Sequence, residues 1–405
     1  MAKIVDLKAR QILGTNGNYC IACEVMLDTG EKSFIQMPVL HDHNFISCYD
    51  VPNSKSNIIK SVLKQVFYIN NNIKKILVDR KIEDLEIVDE ILSRLDNDQR
   101  CSNLGINTIS AVSWSLFLAA AKSKNVDLFK YISEFCGFDN ITYTFPYVVF
   151  DIFTDPEKRV IPWSGIGIVP VLKTRFKDMI DFVIRLYEQI IKSKKYIYHI
   201  NYDGGILPDT DNLEGLLEEI ITAGEKIGFY NKKDFFIVLD AGLNRNQNNK
   251  YFIKYNSDDI TRLELIKYYE NLIKKYYLGS IINPINTHDK EGISTIIDVL
   301  SKDVQIIFDY HYFDDKDQIF SFDDNVTVGI RLENFLTATS MLNFLSKLKN
   351  KSIPFILRHS LFETIDHFLA DIAIGTRSIQ IDFGGLFGGQ NVAKYNRLLT
   401  IEELS

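Results

Sequence analysis

The chain has 405 residues, 46% of them hydrophobic and 24% charged, with a formal net charge of −7. That balance fits one large globular domain with a smaller companion. It excludes the basic face that nucleic-acid phosphates require. The start of the chain has no apolar leader, and no apolar run approaches the roughly 18 residues of a membrane span. Five scattered cysteines, an odd number, suit a reduced, cytosolic protein. Cys20 and Cys23 form a C-x-x-C inside a strand-like stretch with no second pair, so neither metal nor redox use is read into them.

Residues 3–37 alternate in a strand-like way, with turn signals at Gly14–Asn18 and Asp28–Gly30, which predicts a three-stranded antiparallel meander. A polar loop from Pro38 to Pro52 carries His41, Asp42 and His43. From Ser56 to Phe138 the apolar period becomes helical, with Ile109–Ala121 as an apolar helix. Residues 1–140 thus read as a small α+β domain.

Past Thr144 the pattern changes to strands alternating with long helices. Strands are expected at Tyr147–Phe153, Gly165–Pro170, Phe235–Asp240, Gly279–Ile282, Val304–Phe308, Val326–Ile330, Ile353–Leu357 and Ile379–Ile381. Helices are expected at Arg175–Lys192, Leu213–Ile227, Thr261–Tyr276, Gly292–Leu300, Thr337–Lys349 and Ile365–Thr376. This count predicts a β/α barrel over residues 141–405. No G-x-G-x-x-G follows a strand to support a doubly wound sheet instead.

Several motifs, in order, resemble those of the enolase (phosphopyruvate hydratase) family. Ala9-Arg10-Gln11-Ile12-Leu13 with Gly17-Asn18 is similar to its A-R-x-I-x-x-S-R-G-N opening. Leu104-Gly105-Ile106-Asn107 is similar to L-G-A-N, Asp203-Gly204-Gly205 to D-E-G-G, and Val238-Leu239-Asp240-Ala241 to L-D-x-A. Ser280-Ile281-Ile282-Asn283-Pro284 stands at S-I-E-D-P, and Arg358 to Asp366 at S-H-R-S-G-E-T-E-D. Ala393-Lys394-Tyr395-Asn396, running on to Ile401-Glu402-Glu403-Leu404, is close to verbatim. The resemblance implies an α/β fold with a small N-terminal α+β domain followed by a β/α barrel. It also implies cytosolic homodimers that interconvert 2-phosphoglycerate and phosphoenolpyruvate with Mg²⁺.

Carried over residue by residue, most of that chemistry is missing. Mg²⁺ needs near-octahedral oxygen ligands. Asp240 keeps one, the glutamate position is Ile282, and the third falls on Tyr310, or on Asp309 if the register slips by one. The lysine base aligns with Arg331, which stays protonated and cannot accept a proton. The acid partner aligns with Asp203, one methylene short of glutamate. His359 is kept, but Ser360 and Leu361 replace the arginine and serine that hold phosphate, and Asp382 reverses the charge of a second lysine. In the loop after the first barrel strand, Glu157, Lys158 and Gly165 stand near the expected histidine and glutamate. The vestigial catalytic positions are therefore His359, Asp203 and Arg331, with Asp240 as the surviving metal position.

The dimer ion pairs are rewritten too: Arg10 faces a partner position held by Gln390, and the second pair reads Ala22 and Thr400. The expectation is an enolase-like pseudoenzyme that acts as a structural or binding component of a protein assembly. No cofactor is expected, or Mg²⁺ if hydratase activity remains. Partners are expected to be proteins, in a homodimer or hetero-oligomer, with no nucleic acid and no membrane insertion. One alternative is altered chemistry at the barrel mouth using His359 and Asp203, with His41-Asp42-His43 and Asp309-Tyr310-His311 joining Asp203, Asp240 and Asp382 around a transition metal. The other is a weakly active hydratase.

Overall fold

The structure, a computed structural model, describes residues 2–15, 17–38, 61–96, 98, 100–138, 145–193, 195, 199–243, 250–254, 258–321, 326–360 and 363–404. In chain order the first elements are β1 (Ile4–Leu13), β2 (Tyr19–Leu27), β3 (Lys32–Met37), α1 (Leu63–Tyr68), α2 (Lys74–Leu77), α3 (Leu85–Ser93), α4 (Ile106–Ser123) and α5 (Leu128–Phe135). There follow β4 (Tyr147–Thr154), β5 (Gly165–Pro170), α6 (Phe176–Ser193), β6 (His199–Ile200), β7 (Ile206–Leu207), α7 (Leu213–Lys226), β8 (Phe235–Asp240), α8 (Arg262–Tyr276) and β9 (Leu278–Ile282). The chain continues through α9 (Lys290–Leu300), β10 (Gln305–Asp309), β11 (Val326–Ile330), α10 (Ala338–Asn350), β12 (Phe355–Arg358), α11 (Phe368–Gly375), β13 (Gln380–Asp382) and α12 (Gly389–Leu404).

The chain divides into two compact units. The first gathers residues 1–144 with 331–350 and 359–377; the second holds 145–330, 351–358 and 378–405. In the first, β1, β2 and β3 form the antiparallel meander, with Ala9 opposite Cys23 and Cys23 opposite Ile35. Cys20 and Cys23 are both buried free thiols, and burial pushes the Cys23 thiol up to about 12, which fits an inert packing residue. Between α1 and α2 the helix loosens into a π-turn over Ile69–Ile73. It presents Asn70, whose amide accepts from the Ala9 N–H at 2.7 Å and donates to the Ala9 carbonyl at 3.0 Å. The side chain thereby satisfies an edge of β1 as another strand would. Helix α4 is apolar on nearly all sides and buried along its length; Ser115 Oγ turns back to donate to the Ala111 carbonyl at 2.7 Å. At the start of α10, Ser113 Oγ accepts from the Ala338 N–H at 2.8 Å and the Asp89 carboxylate from the Thr339 N–H at 3.0 Å. Two of the N–H groups that a helix start leaves open are thus satisfied.

The second unit is a closed barrel. Its strands run in the order β4, β5, β8, β9, β10, β11, β12, β13, and β13 pairs with β4 to close the ring. Strands β8 to β13 and β4 are parallel to their neighbours, but β5 is antiparallel to both β4 and β8. The sequence predicted these eight strands within a residue or two, and the reversed direction of β5 is new. It follows from the connections: no helix separates β4 from β5, so the chain returns directly, whereas α6, the β6–β7 hairpin and α7 all come before β8. Helix ends carry their own stop signals. Thr261 and Glu264 form a reciprocal capping box on α8, and Asp289 caps α9 by accepting from the Gly292 N–H at 3.1 Å. The barrel interior is filled by Val149, Val169, Val238, Ile282, Ile307 and Ile356, a plug of branched side chains rather than a pore.

Candidate active site

In the second unit, charged residues gather at the last positions of the parallel strands. Asp240 ends β8, Asp309 ends β10, Arg358 ends β12 and Asp382 ends β13. Arg358 and Asp382 are register partners on adjacent strands. Arg358 is 4% exposed. Its Nε donates to Asp382 at 3.0 Å, its Nη1 to both oxygens of Asp309 at 3.0 Å, and its Nη2 to Asp240. In the ring of strands, β8 lies opposite β12, so one guanidinium ties facing walls of the barrel. The fork of donors in a guanidinium suits such convergence; a lysine has a single centre.

Neighbours hold these carboxylates in place. Asn283 Nδ2 donates to Asp309 at 2.9 Å, and the Asp309 N–H donates back to Asn283 Oδ1 at 3.0 Å. A Cβ on Gly329, the register partner of Asp309, would lie 2.2 Å from the Asp309 carboxylate, so only glycine leaves it room. The Gly384 N–H donates to Asp382 at 3.2 Å. Asp203, 5% exposed, accepts from Thr154 Oγ1 at 2.7 Å and from the Gly205 N–H at 3.2 Å. Burial pushes the Asp151 carboxyl well above the usual range, and the Asp382 and Asp203 charges push it further. Burial also raises Asp240, against the pull of Arg358. Lys158 donates from Nζ to the Gly242 carbonyl; burial lowers its pKa while Asp240 and Asp155 oppose that.

The other two expected positions belong to the first unit. Arg331 donates through Nη1 to the His359 carbonyl oxygen, and its N–H donates to Asn334 Oδ1 at 2.8 Å. His359 Nδ1 lies 3.1 Å from the carbonyl of Ser360, and Ser360 Oγ donates to Glu333. Each of these groups is engaged locally. Leu361, and the His41-Asp42-His43 loop of the transition-metal alternative, lie outside the described residues. His311 packs on Tyr312 with ring centroids 5.0 Å apart.

The enolase N-terminal domain model matches residues 4–132, and the model of the enolase C-terminal TIM barrel domain matches residues 162–405. The chain belongs to the enolase family. A curated enolase from Pelagibacter ubique (strain HTCC1062) is 29% identical over 416 residues, spanning all of this chain and 97% of that protein. Enzymes of this enolase family depend on Mg²⁺. The donor set that the resemblance implies, Asp240 with positions 282 and 309, does not fit that ion. Asp240 and both oxygens of Asp309 accept from the Arg358 guanidinium, and the side chain at the glutamate position is Ile282, part of the apolar plug. Mg²⁺ requires about six oxygens in a tight octahedron, and a second cation among these carboxylates would meet the guanidinium at van der Waals range.

Two expectations change. The strand-end carboxylate that converges with Asp240 is Asp309; Tyr310 begins a 3₁₀ turn and its ring packs under Lys316 Nζ at 4.1 Å. Asp382, read from the sequence as reversing the charge of a lysine position, is ion-paired with Arg358. Arg358 was missed as a site residue. Its signal was present: an arginine at the serine position of S-H-R-S and an aspartate at a lysine position, on strands that become neighbours only when the barrel closes.

Proposed function

We propose that this enolase-family chain has no 2-phosphoglycerate hydratase activity and serves as a structural or binding component of a protein assembly. The observation that carries the reading is Arg331. It occupies the position of the general base, remains a cation at any working pH, and spends a donor on the His359 carbonyl. Proton abstraction needs a group that can accept the proton, and Arg331 has no such state. The donor set that does not fit Mg²⁺ supports the same reading, as does Ser360, whose short side chain is turned to Glu333. No cofactor is part of this reading.

The partner is a protein other than the family's usual second copy. Arg10 pairs with Glu24 of its own sheet at 3.4 Å, and Gln390 donates to the Tyr202 carbonyl at 2.7 Å. Neither is set out as half of an intersubunit ion pair. We place the protein in the cytosol, in keeping with the absence, among the described residues, of any helix long and apolar enough to cross a membrane. The test is a spectrophotometric hydratase assay with 2-phosphoglycerate and excess Mg²⁺, run beside isolation of the protein from its native source. We expect no turnover above buffer and a stoichiometric protein partner. Turnover at ordinary enolase rates sinks the proposal.

A further inference from the structure

We propose that the Arg358 guanidinium is a tethered monovalent cation that takes the place of a divalent metal in this barrel, and that its removal opens a carboxylate site for a free cation. The inference stands on the barrel geometry and goes beyond the absence of hydratase activity.

Three carboxylates from β8, β10 and β13 point to one place, and a single side chain fills it. Their side chains are 16%, 5% and 1% exposed, and that of Arg358 is 5% exposed. Carboxylates this deep do not remain charged without a compensating cation. The resemblance sets a lysine at position 382 and a serine at position 358, whereas this chain has Asp382 and Arg358. Because these two residues are register partners, the positive charge has moved by one strand, and its longer, forked carrier reaches across to Asp240 and Asp309 as well. A lysine cannot span all three, and a free ion does not enter while the guanidinium stays. Without the guanidinium, the vacated volume is walled by oxygen donors from Asp240, Asp309 and Asp382, and Asn283 still orients Asp309. Hard oxygen donors of this kind select Mg²⁺ or Mn²⁺ among small divalent cations.

The experiment uses the full chain, with Mn²⁺ uptake followed by equilibrium dialysis and electron paramagnetic resonance, and thermal unfolding in chelator, Mg²⁺ or low guanidinium. The wild-type protein is expected to take up no stoichiometric Mn²⁺ and to unfold at the same midpoint in chelator and in Mg²⁺. Arg358→Ala is expected to bind about one Mn²⁺ per chain and to gain several degrees of midpoint from Mg²⁺ or from low guanidinium, since a ligand of the native state alone stabilises it. Stoichiometric Mn²⁺ in the wild type overturns the proposal. So does a soluble Arg358→Ala that ignores every cation. Should the variant accumulate only as insoluble chain, it is refolded from urea with and without Mg²⁺ or low guanidinium. Recovery only with the cation supports the proposal, and equal failure in both overturns it. Hydratase activity in the wild type would sink the functional reading while leaving these outcomes to stand or fall alone.

Discussion

The two ends of the barrel are built from the same strands and have opposite chemistry. At the ends where the parallel strands finish, Asp240, Asp309, Arg358 and Asp382 form a buried charged cluster. At the ends where they begin, a cavity of about 540 Å³ is lined by Tyr147, Val169, Phe236, Gly279, Gln305 and Gln380, neutral and mostly apolar. Between them lies the Val149–Ile356 plug. Burying an apolar wall is favourable by itself, in proportion to the area removed from water. A buried charge is tolerable only when every partner is present. The finishing end should therefore fail sharply when one group is removed, and the starting end should respond to shape alone.

Arg358→Ala tests this contrast hardest. It strands three acidic side chains in a low-dielectric wall, and we expect a loss of about 3–5 kcal/mol in urea unfolding at neutral pH without added cations. A loss below about 1 kcal/mol would show that the cluster is solvated and the contrast false. At the opposite end, Gly279→Ala places a Cβ 2.6 Å from the Phe236 Cβ. The expected cost is about 1–3 kcal/mol, that of overpacking, and it should not vary with pH.

Asp151→Asn comes next and separates the ends by pH. Its native carboxyl has a raised pKa, chiefly through burial. The native state therefore holds a proton that the unfolded chain releases as pH rises above its ordinary value near 3.8. Wild-type stability falls with pH from there up to the native pKa, by about 1.4 kcal/mol per unit of separation. The asparagine variant lacks this fall. It should match the wild type near pH 4 and exceed it at pH 7, as read by urea midpoints at the two pH values; a variant weaker at pH 7 would mean that the charged form is stabilised. The smallest effect is expected for Gln380→Met. Gln380 Oε1 is buried without a hydrogen-bond partner, so removing it leaves nothing unpaired and should change stability by less than about 1 kcal/mol.

Much of this architecture was legible in the chain. Strands such as Gly165–Pro170 and Phe235–Asp240 stand where their apolar runs end in proline or aspartate. Helix α8 starts where Thr261 and Glu264 can cap each other. The direction of β5 was not legible, because a six-residue buried strand reads the same in either direction. Among the candidate positions, Arg331, Asp203 and Asp240 were singled out by motif order. His359 was singled out as well, and its carbonyl, rather than its ring, is what Arg331 engages.

The sequence by itself determined the family, the eight barrel strands, and the presence of an arginine, a side chain that accepts no proton, at position 331. These depend on local period, on capping residues and on residue identity, all of which survive without neighbours. Only the tertiary structure decided what became of the charges. Asp240, Asp309, Arg358 and Asp382 lie up to 142 positions apart in sequence, as the numbers 240 and 382 give. They meet because β13 closes onto β4 and brings strands from opposite sides of the ring within reach of one guanidinium. Taken singly, Asp382 is a reversed charge and Arg358 an unexplained arginine; in the closed barrel each neutralises the other, because buried opposite charges persist only as partners.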